Sequence, residues 1–179
     1  YESYPHHNAV FVGKDKDGQP RYACLRGIGT DFKGEATGSD KRFSFSIPAE
    51  EPSPVLYLFE SAIDLLSFAA MAQEDRLPWR SQHLLSLAGV YQPKKNLTER
   101  HLPLALSQYL RDHREIQTIY LCLDNDLAGR SAADAIRQQL AGRYVVLDGF
   151  PCQGKDYNDW LCLRKGLPIT RTVSKPERS

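Results

Sequence analysis

From residue 55 onwards, short apolar runs alternate with segments whose apolar residues recur every three or four positions. A run that is apolar at consecutive positions is typical of a strand covered on both faces, whereas the longer period indicates one buried face of a helix. Strands and helices that alternate in this order predict an α/β fold, a four-stranded parallel sheet flanked by helices. The predicted strands are 55–59, 83–89, 118–123 and 143–147, and the predicted helices are 61–74, 102–110 and 128–140.

The first fifty residues have a different pattern, for which we predict strands and no helix. Residues 8–13 and 21–26 are β-type runs separated by residues typical of a turn. Residues 42–47 alternate apolar and polar side chains, which predicts a further, half-buried strand. The polar, proline-rich stretch 49–54 is a candidate linker. We therefore expect a β-rich N-terminal unit at 1–50, an α/β domain at 51–165 and a polar tail at 166–179.

Composition narrows the class of protein. Of the 179 residues, 41% are hydrophobic and 25% are charged, which is an ordinary globular composition and excludes a disordered chain or a disulfide miniprotein. No apolar run approaches the roughly 20 residues that cross a bilayer, and no secretory leader is visible. The chain begins at Tyr1 and not at Met, which indicates a piece of a longer protein. We expect a cytoplasmic location and no membrane partner.

Charge and cysteines limit the partners. The chain has 23 basic and 22 acidic residues, a net charge of +1. Strong non-specific DNA binding depends on excess positive charge, so any contact with nucleic acid has to come from a local patch or from parts outside this sequence. The four cysteines form no C-x-x-C pair, so they offer no pattern for a structural zinc site, and they suit a reducing compartment.

Acidic residues follow two of the predicted parallel strands. Glu60 follows the first strand directly, and Asp124 and Asp126 follow the third. Ligands bind at the carboxyl ends of the strands in such sheets, so all three acids leave the same edge. Asp124 and Asp126 are two residues apart and point to one side in extended backbone. If the first and third strands are neighbours, we expect the three carboxylates to converge.

Converging carboxylates predict a cation. They raise each other's pKa unless a cation lies between them, and hard oxygen ligands suit Mg²⁺ or Mn²⁺. Such a site supports phosphoryl or nucleotidyl transfer, because the metal neutralises phosphate charge and activates an attacking oxygen. For each residue taken singly the alternative is a solvated loop acid or a helix cap. Asp126 in particular is placed to cap the helix predicted from residue 128.

Three segments carry a resemblance to a known family. The sequence LFESAIDLL at 58–66 resembles the glutamate motif of the Toprim domain of topoisomerases and bacterial-type primases. The sequence CLDNDLAG at 122–129 is similar to its D-x-D motif in the primase form, and GKDYND at 154–159 is similar to a primase segment after the last core strand. The likeness covers about 55–162. The family usually has Gly after the glutamate, where this chain has Ser61.

The N-terminal region also has a likeness. The segments 11–22 and 38–45 are similar to a region that precedes Toprim in proteins of bacterial mobile elements and plasmids. Those proteins often carry a primase-like zinc module further upstream, which this sequence lacks.

The resemblance implies roles for individual residues. It makes Glu60 a metal ligand or general acid/base, and Asp124 and Asp126 metal ligands, with Mg²⁺ as cofactor and Mn²⁺ as its substitute. Four further residues support the site. Asp64, one helical turn after Glu60, reaches the same pocket or is a solvated helix residue. Lys155 contacts phosphate, and Asp156 and Asn158 bind metal or hold the loop. For the last three a purely structural role in the loop is the alternative.

The function implied is Mg²⁺-dependent action on DNA phosphodiesters in mobile-element or plasmid DNA metabolism. The reaction is either primase-like nucleotidyl transfer or nuclease-type cleavage. The expected partners are DNA, single-stranded or a replication intermediate, and replication or mobilisation proteins. Two alternatives stay open: a non-catalytic DNA-binding or assembly module with the same fold, and an enzyme whose activity requires an upstream region.

Overall fold

The N-terminal part of the chain forms an antiparallel sheet. The computed structural model describes residues 2–3, 7–89 and 101–169. Strands β1 (Glu2–Ser3), β2 (Asn8–Lys14), β3 (Pro20–Gly27) and β4 (Lys33–Glu35) lie side by side in chain order. The Asp15 side chain accepts hydrogen bonds from the amides of Asp17 and Gln19 and so closes the β2–β3 turn. The hairpin predicted from the turn residues is confirmed.

The second sheet has five strands in the order β5-β7-β6-β8-β9. Its four parallel strands are those predicted, and β5 adds a short antiparallel strand beside β7 at one edge. Strand β6 lies between β7 and β8, which is the neighbour relation that the acidic residues require. The strands are β5 (Ser46–Ile47), β6 (Val55–Phe59), β7 (His83–Ser86), β8 (Thr118–Cys122) and β9 (Val145–Asp148).

Helices cover both faces of this sheet. The helices are α1 (Ala62–Glu74), α2 (Leu104–Asp112), α3 (Leu127–Leu140) and α4 (Tyr157–Arg164). Strand side chains alternate between the faces. In β6, Leu56 and Leu58 pack with residues of α2 and α3, whereas Phe59 packs with residues of α1 and α4. This two-sided burial explains the continuous apolar runs, and it confirms the α/β class.

The strand predicted at 42–47 is mostly wrong. Only Ser46 and Ile47 pair, whereas Lys41–Phe43 forms a turn of 3₁₀-helix. Asp40 caps this turn through the Arg42 amide and also binds the Arg42 guanidinium. A short acidic side chain that bonds to nearby backbone competes with sheet pairing, which alternation of apolar residues cannot reveal. The same turn corrects the expectation that the first fifty residues contain no helix.

The stretch predicted as a linker is tied to the sheet. The Ser53 side chain is buried and bonds to Gln82, and the carbonyl of Pro54 accepts the amides of Gln117 and Thr118. The strand predicted at 83–89 ends at residue 86, because Ala88 and Gly89 have positive φ.

The division into units at 1–50 and 51–165 stays a prediction. Within the described residues, β5 of the first fifty joins the second sheet. Most of the predicted tail lies outside the described residues, which end at 169. Within them, no helix is long and apolar enough to span a bilayer.

Candidate metal centre at the carboxyl edge of the sheet

Strand register brings the first two predicted acids to one edge. In the parallel pair of β6 and β8, Phe59 lies opposite Cys122. Glu60 directly follows the first strand, and Asp124 follows the second after one residue. Asp124 is 7% exposed, so its carboxylate stands in a largely dehydrated position. The parallel pairing of adjacent strands therefore places Glu60 and Asp124 at one edge of the sheet, and the convergence of all three carboxylates stays a prediction.

Glu60 experiences the charge of the other acids. Burial is the main cause that raises the pKa of Glu60 from its usual 4.5 to about 7, and the negative charges of Asp124 and Asp126 add to the effect. The Lys155 ammonium acts in the opposite direction but does not cancel it. A carboxyl group with this pKa exchanges its proton near neutral pH. The site therefore combines negative charge with a group able to carry a proton.

Lys155 provides a cation inside the acidic group. Its ammonium lies 2.8 Å from Asp124 Oδ2 and 3.2 Å from Asp126 Oδ2, and the first of these bonds is the largest cause that raises the pKa of Lys155. Two backbone bonds fix the loop that carries it: the Asn125 amide donates to the Lys155 carbonyl at 2.7 Å, and the Lys155 amide donates to Asp159 Oδ2 at 3.0 Å. Lys155 thus bridges two carboxylates from a separate loop.

The Asp126 carboxylate makes two contacts at once. Its carboxylate accepts the amide of Gly129 at 2.9 Å, as an N-cap of α3, and this bond is the main cause that lowers its pKa. The capping alternative is therefore correct, yet the same carboxylate contacts Lys155. A Cβ on Gly129 would lie 2.0 Å from the carbonyl oxygen of Asp124, which explains the glycine at the end of the D-N-D-x-A-G motif.

The backbone conformation at Ser61 does not require glycine. Its φ of −129° and ψ of 162° are extended, so the departure from the usual family residue causes no strain. Its hydroxyl oxygen caps α1 by accepting a hydrogen bond from the backbone amide of Asp64 at 3.2 Å. The same hydroxyl donates a hydrogen bond to Asp64 Oδ2. Asp64 itself is buried, and burial raises its pKa from 3.8 to about 6. Ser61 therefore serves as a helix cap beside the candidate centre.

Asp156 and Asn158 lie where α4 begins. Asp156 caps this helix by accepting the Asp159 amide at 2.7 Å. The backbone N–H of Asn158 donates a hydrogen bond to Asp64 Oδ1 at 3.2 Å, and the side-chain oxygen of Asn158 is 3.5 Å from the Ser67 hydroxyl. These bonds join the start of α4 to the start of α1. They favour the loop-holding alternative for both residues.

The acids at this edge offer the donor chemistry of a divalent-cation site, although the group of described residues whose ligand atoms all lie within 4.8 Å of one another is a different one, formed by His83, His113 and Glu115. Glu60, Asp64 and Asp156 each have a raised pKa to which the charge of Asp124 contributes, so the acids lie within one electrostatic group. Hard carboxylate oxygens that repel one another are the donors that Mg²⁺ and Mn²⁺ prefer. Lys155 already places one positive charge between two of them.

A second ionisable group at the opposite edge of the sheet escaped the sequence analysis. It contains His83, Tyr109, His113 and Glu115. The spacing from 83 to 113 gives no recognisable motif. The H-x-E pair after a predicted helix is the one local signal it has.

Comparison with family models gives two matches. A model described as Toprim-like matches residues 57–161, which contain all the acidic residues of the candidate centre. A model described as Protein of unknown function (DUF3991) matches residues 1–51.

Among curated proteins, the 65 kDa protein of Zymomonas mobilis subsp. mobilis is 27% identical over 174 residues. The match covers 91% of this chain and 28% of that protein, so the chain spans little more than a quarter of its curated relative.

Solved primase structures share the fold. The primase fragment of the bacteriophage T7 primase-helicase protein matches with a TM-score of 0.58 and 18% identity, over 92% of this chain and 61% of that one. A DNA primase domain from Pseudomonas aeruginosa gives 0.57 and 16%, over 92% and 52%. The E. coli primase catalytic core gives 0.53 and 14%, over 88% and 48%. At these identities the likeness concerns the fold.

The raised pKa of Glu60 predicts a pH-dependent stability in metal-free buffer. The folded chain holds this proton up to about pH 7, whereas a carboxyl in the unfolded chain releases it near 4.5. The stabilisation is therefore complete below about 4.5 and is lost as pH rises through 7. The wild type should lose on the order of 2 kcal/mol of unfolding free energy between pH 5 and pH 8, and Glu60→Gln should abolish this loss. Urea unfolding at both pH values measures it, with exposed Glu50→Gln as control. Equal pH slopes in wild type and Glu60→Gln would contradict the assignment.

Because the start of α3 lies against the Asp124 carbonyl, Gly129→Ala should lower the stability of the fold. The added methyl meets backbone and not a flexible side chain, so the start of α3 has to shift. We expect a loss of about 1–3 kcal/mol in unfolding free energy and weaker Mn²⁺ binding, because Asp124 and Asp126 flank the shifted turn. Gly142→Ala, in a left-handed position at the other end of α3, should lower stability and leave Mn²⁺ affinity unchanged. Unaltered stability in Gly129→Ala would refute the steric argument.

Proposed function

The chain belongs to the Toprim-like family, and from this premise we propose that it binds a divalent cation through Glu60, Asp124 and Asp126 and acts on DNA phosphodiesters. The cation is Mg²⁺, with Mn²⁺ as its substitute; Toprim domains generally bind divalent metal ions. The observation that carries the proposal is the Lys155 bridge between Asp124 and Asp126, beside a glutamate whose pKa is about 7. Acids that already attract one cation provide a position for a second, more highly charged one.

Each residue has a distinct part in this proposal. A bound divalent ion would neutralise phosphate charge and activate an attacking oxygen. Glu60, with a pKa of about 7, takes up or gives a proton during the reaction. The Lys155 side chain is half exposed, so it can leave the aspartates and contact a phosphate oxygen. Asp64, Asp156 and Asn158 position the two helix starts around the site.

The class of reaction is primase-like nucleotidyl transfer or nuclease-type cleavage, in mobile-element or plasmid DNA metabolism. The solved proteins of similar fold described above are primases, which favours transfer. The partners we propose are single-stranded DNA or a replication intermediate, together with replication or mobilisation proteins. The chain spans 61% of the T7 primase fragment and less of the others, so full activity can depend on segments outside this sequence.

Metal titration tests the centre without requiring activity. We expect Asp124→Asn/Asp126→Asn to lower Mn²⁺ affinity at least about tenfold, since two of the oxygen ligands lose their charge. Isothermal titration or the paramagnetic signal of free Mn²⁺ measures the affinity. Asp134→Asn is a matched control, because Asp134 is an exposed acid on α3 that pairs with Arg137. Equal Mn²⁺ affinity in the wild type and the double variant would refute the metal centre.

Activity assays separate the enzyme from the non-catalytic alternative. Primer synthesis and nicking are measured with Mg²⁺ and with Mn²⁺, together with binding of single-stranded DNA. If Glu60 carries the proton, Glu60→Gln should lower the rate by about 10²–10⁴ and leave DNA affinity unchanged. A chain that binds Mn²⁺ and DNA yet forms neither product would favour a DNA-binding module, or an enzyme that needs its remaining segments. A wild-type activity that survives in Glu60→Gln would overturn the assigned role.

A further inference from the structure

A compact group of imidazole and carboxylate side chains lies at the amino edge of the parallel sheet. His83 is the first residue of β7, His113 follows the last residue of α2, and Glu115 lies in the turn before β8. One ligand atom from each of these three residues lies within 4.8 Å of the other two. The group is at the opposite end of the strands from Glu60 and Asp124. It is therefore independent of the acidic centre.

One nitrogen in this group lacks a hydrogen bond. His83 is 2% exposed, and its Nε2 has no hydrogen-bond partner, although Glu115 Oε1 lies 3.4 Å away. Buried polar atoms almost always have a partner, so one without a partner needs an explanation. A neutral imidazole has one lone pair, and this lone pair lies on Nε2 when the ring proton is on Nδ1. A neutral buried imidazole is suited to bind a metal ion.

Two of the three separations, both from Glu115, match those between ligands on one ion. Zinc binds histidine nitrogen and carboxylate oxygen at about 2.0–2.1 Å, so two ligands of a tetrahedral ion lie roughly 3.3–3.4 Å apart. Glu115 Oε1 is 3.4 Å from His83 Nε2 and 3.3 Å from His113 Nδ1. Both distances are near the edge of such a tetrahedron. The side chains of His113 and Glu115 are partly exposed, which gives an ion a path from solvent and leaves a fourth position for water.

We propose that His83 Nε2, His113 Nδ1 and a carboxylate oxygen of Glu115 form a binding site for a transition-metal ion of the Zn²⁺ type. Two imidazoles and one carboxylate suit zinc and its neighbours in the first row, whereas Mg²⁺ prefers oxygen alone. The ion would join the start of β7 to the turn between α2 and β8. Because the ligands come together in the folded chain, binding stabilises the fold.

Tyr109 is a positioning residue for this site. Its hydroxyl lies 3.1 Å from His83 Nδ1, and the amide of Ala49 lies 3.3 Å from the same nitrogen. When Nε2 binds the ion, the ring proton is on Nδ1 and the Tyr109 oxygen accepts it, while the longer bond from Ala49 is given up. Partners of this kind orient a ligating histidine, and their loss typically weakens metal affinity by about 10–100-fold.

The test uses the chain after removal of metal with a chelator, titrated with Zn²⁺ and with Co²⁺, whose visible absorption reports nitrogen ligands. We expect one equivalent of Co²⁺ to give the absorption of nitrogen ligation, and Zn²⁺ to raise the thermal midpoint. His113→Ala and Glu115→Gln should each lose at least about tenfold in affinity and the thermal gain, because each removes one ligand. Both side chains are partly exposed, so these variants avoid the core disruption expected for His83→Ala. Tyr109→Phe should weaken binding while the one-to-one stoichiometry is kept.

Controls distinguish this site from other metal-binding positions. His101→Ala removes an exposed histidine outside the group, and Asp124→Asn/Asp126→Asn alters the acidic centre at the far edge. Both should leave the Co²⁺ absorption that reports nitrogen ligands unchanged. If His113→Ala and Glu115→Gln bind Zn²⁺ as tightly as the wild type, the site does not exist. The same conclusion follows if Zn²⁺ gives no thermal shift in the wild type.

Discussion

The repulsion between carboxylates at one edge of a parallel sheet is the constraint on which the candidate centre depends. Asp124 is almost fully buried, and its charge helps to raise the pKa of Glu60, Asp64 and Asp156. Such an arrangement is unfavourable unless positive charge enters it or protons remain bound. Lys155 supplies the first remedy and protonation of Glu60 the second. A divalent ion would replace both, which links metal binding to the release of a proton and of a lysine.

The local structure around the acids limits how they can relieve this repulsion. The parallel register fixes the separation of the two strand ends, and the contact between Gly129 and the Asp124 carbonyl fixes the start of α3. The bond from the Asn125 amide to the Lys155 carbonyl holds the lysine loop against the same turn. Since the backbone is held from three directions, the points from which these side chains leave the chain cannot move apart. Protons and cations therefore provide the main relief.

The sequence was sufficient for those features that follow from periodicity and strand order. Continuous apolar runs predicted the four parallel strands, and the order of strands and helices placed Glu60 and Asp124 on one edge. The 3₁₀ turn at Lys41–Phe43 was missed because a cap by Asp40 leaves no trace in the alternation of apolar residues. The group around His83 was missed for a different reason. Its members meet through packing of α2 against β7, and one of them belongs to an apolar run that already has a structural explanation.

The two ends of the sheet present chemically different donors, and this difference has consequences for any metal experiment. The carboxyl edge offers carboxylate oxygens, with Lys155 as an internal competitor, so its donors suit a hard ion. The amino edge offers two imidazoles and one carboxylate. Protonation therefore affects the two sites through different groups. Because the two ends of the sheet hold different donors, a single apparent metal affinity for the chain would combine two unrelated equilibria.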